Sequence, residues 1–342
     1  MRTAVRMKMD KIELPYCDYL TTRPKHGGFS LKKIAFIFPG QGSQFVGMGH
    51  DLYEEYEFVR ELFDMTDEIT RADISGLCFK GSMEELTLTV NLQPAVTAVD
   101  LACLAAIEKE GVSPAISAGH SLGEYPALRA AGVVSAGDTL SLVAKRGFLM
   151  HRESTKHAGA MHAVLGLSID EVRKAVDEAK DAGIVAVANH NTAEQIVITG
   201  EPNAVKRASE IASGKGARVI PLKVSGAWHS ELIRGAEEDF SAFLDEISFE
   251  EAKRSILFNV TADYETRAQE IRNIMARQLC SPVRWYDIIC KMLEENVEVF
   301  AEVGPKKVLT GMLRKIIPKT YPHEVYNVDG IRGLETFLKA VT

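Results

Sequence analysis

Three residues of this 342-residue chain are of the types that carbonyl chemistry needs, in settings that suit it: Ser121, His229 and Arg146. Ser121 is the centre of Gly119-His120-Ser121-Leu122-Gly123-Glu124-Tyr125. That stretch follows the apolar run Ala115–Ala118 and opens into a helical pattern ending at Gly132. Strand, sharp turn and helix make the setting in which G-x-S-x-G becomes a nucleophile elbow. Gly119 and Gly123 suit it, because the chain must turn tightly and pack closely where a β-carbon would obstruct. Ser121 would then stand exposed on the turn. The amide of Leu122, at a helix N-terminus, could stabilise the negative charge that develops when a serine attacks a carbonyl. A plain Gly-Ser loop has the same spelling, so the pattern alone leaves both readings open.

A serine hydroxyl needs a base of near-neutral pKa to take its proton, and histidine supplies one. An isolated histidine is more often a surface or core residue. His229 is singled out by its place in Gly226-Ala227-Trp228-His229-Ser230, where the chain returns from a segment of different rhythm. Arg146 sits on a helical pattern starting near Gly137, with Leu140, Val143, Ala144 and Phe148 as apolar neighbours. Such an arginine is ordinarily a solvated helix face. Among apolar neighbours its planar fork could instead pair bidentately with a carboxylate. A fourth candidate is Gln41, in the turn Pro39-Gly40-Gln41-Gly42-Ser43-Gln44 after a buried strand, Ile34–Phe38. The turn can bring backbone amides and the Gln41 side chain close to a ligand. The dinucleotide pattern G-x-G-x-x-G fails there, because Phe45 stands at the third glycine position.

The elements that must hold these residues are legible as periodicities. An amphipathic helix is expected over residues 51–70, with Leu52, Phe58, Leu62, Phe63 and Ile69 on one face. Gln93-Pro94 is expected to start another, closed by Gly111, since proline is at home in a first turn. From Ala160 to Val224 the order reads strand (160–165), helix (169–182), strand (185–188), strand (195–199), helix (203–213), strand (218–222). This β-α-β-β-α-β order is that of a small ferredoxin-like unit. A strand at 256–260, helices at 267–279 and 285–294, a strand ending at Phe300–Pro305 and a helix from Lys306 follow. The expected fold is α/β: a large α/β-hydrolase-like domain with a short parallel sheet (33–156 and 225–342) and a ferredoxin-like insertion (157–224).

Composition sets the outer limits. With 46% hydrophobic and 25% charged residues the chain can bury a sizeable core. A net charge of −7 argues against wholesale nucleic-acid binding, and no apolar run approaches the length of a membrane span. The five cysteines form no C-x-x-C pair, which fits a reducing, cytoplasmic setting and no structural zinc. Residues 1–32 lack the long apolar core of a secretory signal and are expected to be a loosely docked extension.

Taken together, the chain resembles the malonyl-CoA:acyl carrier protein transacylase family. The resemblance runs from about Lys33 to the C-terminus. It rests on Phe38–Gln44, Gln93-Pro94-Ala95, Gly119–Tyr125, Arg146-Gly147, Gly226–Ser230, Gln278-Leu279 and Glu302-Val303-Gly304-Pro305, all in the family's order. It implies a ping-pong malonyl transfer from malonyl-CoA to the phosphopantetheine thiol of acyl carrier protein, for fatty-acid or polyketide synthesis. By resemblance Ser121 is the nucleophile and His229 its base, with the backbone carbonyl of Gln278 orienting the histidine. Gln41 and Leu122 would lend oxyanion-hole amides, Arg146 would grip the malonyl carboxylate, and Asn191 would stand near the cleft. No metal or redox cofactor is implied, the CoA thioester being substrate, and a monomer is expected. The sequence departs from the family pattern at Trp228, where Phe is commoner; a bulkier indole beside the base would narrow the acyl pocket. Two other readings use the same elbow: an acyl hydrolase of this fold, and an α/β-hydrolase esterase. The esterase would need an HGGG-like upstream loop that is absent, although His323 lies late enough to serve as its histidine.

Overall fold

In the computed structural model, which describes residues 32–342, the strands are β1 (Ile34–Phe38), β2 (Ile116–Gly119), β3 (Ala160–Leu165), β4 (Val185–Thr192), β5 (Gln195–Gly200), β6 (Arg218–Pro221), β7 (Ser255–Leu257), β8 (Val299–Val303) and β9 (Glu324–Val328). They make two sheets. One has the order β7-β2-β1-β8-β9, with parallel pairing throughout. The other has the order β4-β5-β3-β6, with antiparallel pairing throughout.

The parallel sheet is covered on both faces, as continuous apolar strands require. In β1, Phe36 and Phe38 face the larger core, which holds the helices Thr89–Lys109, Glu124–Ala131 and Ala136–Lys156. Ala35 and Ile37 face a second core, built with the helices Trp285–Glu294 and Val308–Ile316. The antiparallel sheet buries Val164, Val185, Ile196 and Ile198 under the helices Ile169–Glu178 and Pro202–Gly214. It is tied to the rest by Asn189 and Val283. Val283 N–H donates to Ala188 O at 2.8 Å, and His190 N–H donates to Val283 O at 2.9 Å.

Three local expectations need correction. The helix expected over 51–70 is two, His50–Glu55 and Glu57–Thr70, because Tyr56 is extended (φ −116°, ψ 127°). The helix expected to begin at Gln93-Pro94 begins at Thr89 and carries Pro94 inside it. Close packing on the arginine-bearing helix holds that first turn despite the missing N–H. A Cβ on Gly147 would lie 3.0 Å from Thr89 O and 3.4 Å from Val90 Cα. The same helix, Thr89–Lys109, is long and apolar enough to cross a membrane by length and composition, a property the sequence reading missed. Here it is mostly buried in the protein's own core. The extension expected over residues 1–32 lies outside the described residues, apart from Lys32, whose ammonium meets the Glu324 carboxylate.

Candidate active site

The site is built where β1 and β2 end. Phe38 lies beside Gly119 in register, and each strand turns sharply there. A Cβ on Gly119 would fall 1.8 Å from Gly123 C, and one on Gly123 would fall 2.0 Å from Phe38 O. No side chain fits either place, which is why glycine flanks the serine. Ser121 itself takes φ +53°, a left-handed conformation costly for a residue with a β-carbon. Asn259, just beyond β7, holds it there. Its Oδ1 accepts from Ser121 N–H at 2.7 Å, and its Nδ2 donates to Gly119 O at 2.7 Å.

The Ser121 hydroxyl is 2.8 Å from His229 Nε2. On the other side of the ring, Nδ1 faces Ser281 O at 2.9 Å and Gln278 O at 3.2 Å. Carbonyl oxygens only accept, so the Nδ1 position carries the hydrogen and Nε2 is left to accept from serine. Burial, reinforced by Arg146 and His120, pulls the His229 imidazole down to about 3, against the pull of those two carbonyls. The ring is therefore neutral at physiological pH, the protonation state a base needs, but burial holds it below the near-neutral range expected of the base from the sequence. Like Ser121, His229 sits at positive φ, +61°.

Arg146 is 2% exposed, and each of its nitrogens is held. Nε donates to Gln278 Oε1 at 3.1 Å, Nη1 to Gln93 Oε1 at 2.8 Å, and Nη2 to Ser121 Oγ at 3.1 Å. The guanidinium carbon lies 5.6 Å from the centre of the Tyr125 ring. Gln278 Nε2 donates both to Ser121 O and to Glu124 Oε2, each at 2.7 Å. Glu124 is fully buried, and its Oε1 accepts from Asn259 N–H at 2.6 Å. Burial pushes the Glu124 carboxyl up to about 7, although both hydrogen bonds and Arg146 favour its anion.

Ser121, His229 and Arg146 line one cleft of about 120 Å³ together with Gln41, Leu122, Gln93, His120, Met150, Met161, Asn189, Leu222, Val224 and Trp228. Six of the seven residues singled out from the sequence meet here: five line the cleft, and Gln278 stands directly behind it. Asn191 does not line it. It stands one step behind, its Oδ1 2.8 Å from Nε2 of the cleft-lining His120, while Asn189 of the same strand lines the cleft itself. Trp228 does wall the cleft beside His229, as expected. Sequence reasoning missed Asn259, Glu124, Gln93 and Ser281 as parts of the site. A signal existed only for Gln93 and Glu124, which stand inside motifs already noted.

An acyl transferase domain family matches residues 35–341. A malonyl CoA-acyl carrier protein transacylase from Bacillus subtilis is 44% identical over 288 residues, 84% of this chain and 91% of the relative. An acyl carrier protein S-malonyltransferase from Vibrio cholerae has the same fold, with a TM-score of 0.85 and 37% identity, covering 89% of this chain and 99% of that one. A malonyl-transacylase solved in complex with its holo type II PKS acyl-carrier protein superposes at 0.86 with 34% identity, covering 90% and 99%.

Proposed function

This chain belongs to the acyl transferase family, among its malonyl CoA-acyl carrier protein transacylases, and on that footing we propose that it moves a malonyl group from malonyl-CoA to the phosphopantetheine thiol of an acyl carrier protein. The observation that carries the proposal is the Ser121 hydroxyl. It lies between a neutral histidine at 2.8 Å and a buried arginine at 3.1 Å, so nucleophile, base and carboxylate partner share one cleft.

In this reading Ser121 Oγ attacks the thioester carbonyl while its proton passes to His229 Nε2. The Gln278 and Ser281 carbonyls stabilise the imidazolium that forms. The amides of Gln41 and Leu122 receive the oxyanion. The C–S bond then breaks, and the CoA thiolate leaves with the proton from His229. In the second half the carrier thiol gives its proton to His229 and attacks the seryl ester, and Ser121 leaves as the hydroxyl. Arg146 pairs with the malonyl carboxylate throughout. No metal or redox group is called on.

The finer architectural reading goes with it: a hydrolase-like part (33–156 and 225–342) and a ferredoxin-like insertion (157–224), supported by the strand orders of the two sheets. A monomer in the cytoplasm belongs to the same proposal; thiols at Cys78, Cys103 and Cys280 outside any disulfide suit a reducing compartment. The test is incubation with radiolabelled malonyl-CoA, with and without phosphopantetheinylated carrier. Label should reach the protein without carrier and pass to carrier when it is added. Release of free malonate in both arms would favour the acyl hydrolase and overturn the transfer reading.

A further inference from the structure

We propose that Glu124 is a positioning residue for acyl selection: its carboxylate fixes the orientation of the Gln278 amide, and through it the Arg146 fork that takes the substrate carboxylate. The proposal rests on the malonyl reading above and names a residue that the mechanism does not use.

Donors and acceptors decide how the Gln278 amide is turned. Gln278 can be placed with its amide either way round, and the two placements have opposite consequences. As found, Oε1 faces Arg146 Nε at 3.1 Å and the Tyr125 hydroxyl at 3.3 Å, while Nε2 faces Glu124 and Ser121 O. Flipped, the NH₂ group would point at a guanidinium that has only donors to offer. Glu124 opposes the flip together with the Ser121 carbonyl, because both accept from Nε2 and have nothing to give to Oε1. Its other oxygen is committed to Asn259 N–H at 2.6 Å. Both neighbours of Glu124 are donors, so both of its oxygens must accept, and an ionised carboxylate is the side chain that does this.

The isosteric amide cannot. In Glu124→Gln the new oxygen can meet Asn259 N–H or Gln278 Nε2, and the new NH₂ confronts whichever donor is left. The first choice sets the new NH₂ against Gln278 Nε2, so Gln278 must shift away from it or turn over, losing Ser121 O and setting its own NH₂ against Arg146. The second leaves the Asn259 amide buried without an acceptor, at the residue that clamps Ser121. A substitution that barely changes shape should therefore damage recognition of the charged acyl group.

The charged and titratable groups that face Glu124 are Arg146, from the helix Ala136–Lys156, and Tyr125 beside it; Asn259 and Gln278 bring no charge. Burial holds the Glu124 carboxyl near 7. The anion is the positioning form, so orientation is secure above that pH and fails as pH falls through it. His229 titrates far lower, near 3, and does not produce a change in this range.

The experiment measures kcat/KM for malonyl-CoA and for acetyl-CoA in the full chain and in Glu124→Gln, from pH 6 to 8.5. At pH 8 the malonyl-to-acetyl ratio should fall at least about tenfold in the variant, the size of one misdirected hydrogen bond to a charged group. In the wild type the ratio should fall as pH drops below about 7, and in the variant it should be flat. Parallel losses for both substrates would make Glu124 merely structural and overturn the proposal. If the variant does not fold, a wild-type ratio that is constant from pH 6 to 8.5 overturns it instead. A wild type that transfers no malonyl at all refutes the proposed function and is read separately, from the malonyl assay alone.

Discussion

Replacing Arg146 by Ala tests substrate class most directly. The side chain is 2% exposed, so the small value of a surface ion pair does not apply. Three hydrogen bonds, to Gln278, Gln93 and Ser121, hold the guanidinium before substrate arrives, so little ordering remains when it binds. Removing one partner of such a buried charged pair costs about 2–5 kcal/mol, because the carboxylate left behind has neither water nor cation. Malonyl transfer should fall by about two to three orders of magnitude, at about 1.4 kcal/mol per tenfold. An acetyl group has no carboxylate and loses at the reacting atoms only the charged Nη2 contact to Ser121, about 1.5 kcal/mol or about tenfold, a loss that malonyl transfer shares and that therefore cancels in the ratio. Arg146→Lys keeps the charge but gives a point donor where the site offers a planar fork, so it should rescue malonyl transfer poorly. The assay is the ratio of kcat/KM for malonyl-CoA and acetyl-CoA in the three proteins. An unchanged ratio in Arg146→Ala would show that the arginine only braces Ser121 and Gln278, and the malonyl reading would lose its physical support.

Other consequences can be checked separately. Ser121→Ala should abolish the acyl-enzyme adduct seen by intact mass after mixing with malonyl-CoA, while the far-ultraviolet circular dichroism stays that of the wild type; an undiminished adduct would remove Ser121 from the chemistry. Gly123→Ala should destabilise the protein by about 1–3 kcal/mol through the contact with Phe38 O, lowering Tm by a few degrees, whereas Gly214→Ala, with open space around it, should not lower Tm. His229 is buried neutral, and its pKa is lower folded (about 3) than unfolded (about 6.5), so the stability it contributes is present above about 6.5 and is lost as pH falls toward 3. Between pH 7 and 5 the wild type should therefore lose about 2 kcal/mol more than His229→Asn in urea unfolding, and equal losses would mean the ring is not held neutral. Lys215 and Arg218 stand exposed near the end of the antiparallel unit, with Lys206, Arg207 and Lys223 also exposed. Charge reversal of Lys215 and Arg218 should raise KM for an acidic carrier and leave that for malonyl-CoA nearly unchanged, and equal effects on both would place docking elsewhere.

How much of this was legible follows from how local each feature is. The elbow could be read because its requirements fall on consecutive residues: two glycines, a serine and a helix start within one turn. Strand β1 and the helix Trp285–Glu294 could be read because their burial repeats within a few residues. Asn191, expected near the cleft from resemblance alone, shows what the local pattern of a strand cannot place. Side chains alternate along a strand only while its pairing register is kept. Strand β4 shifts register between Val187 and Asn189 and again between His190 and Thr192, and each irregularity disturbs the alternation. With two such irregularities in the strand, its alternation alone does not tell that Asn189 lines the cleft and Asn191 stands behind it on His120.

The clamp around Ser121 was illegible for a different reason. Asn259 is ordinary in its own segment, and its meaning comes from the Ser121 amide 138 positions away. Ser121 and His229 both hold left-handed backbone, which glycine would occupy at lower cost. Glycine has no hydroxyl and no imidazole, so the chemistry keeps the costly residues and the surroundings must hold them. At Ser121 that holding is visible: Asn259 grips the amide and the carbonyl two residues before it, and Gln278 Nε2 grips the Ser121 carbonyl at 2.7 Å. Such supports are chosen by distance in the folded chain and leave no spacing rule in the sequence. The reacting residues can therefore be found by motif, while the residues that keep them in reacting geometry become visible only once the sheets are assembled.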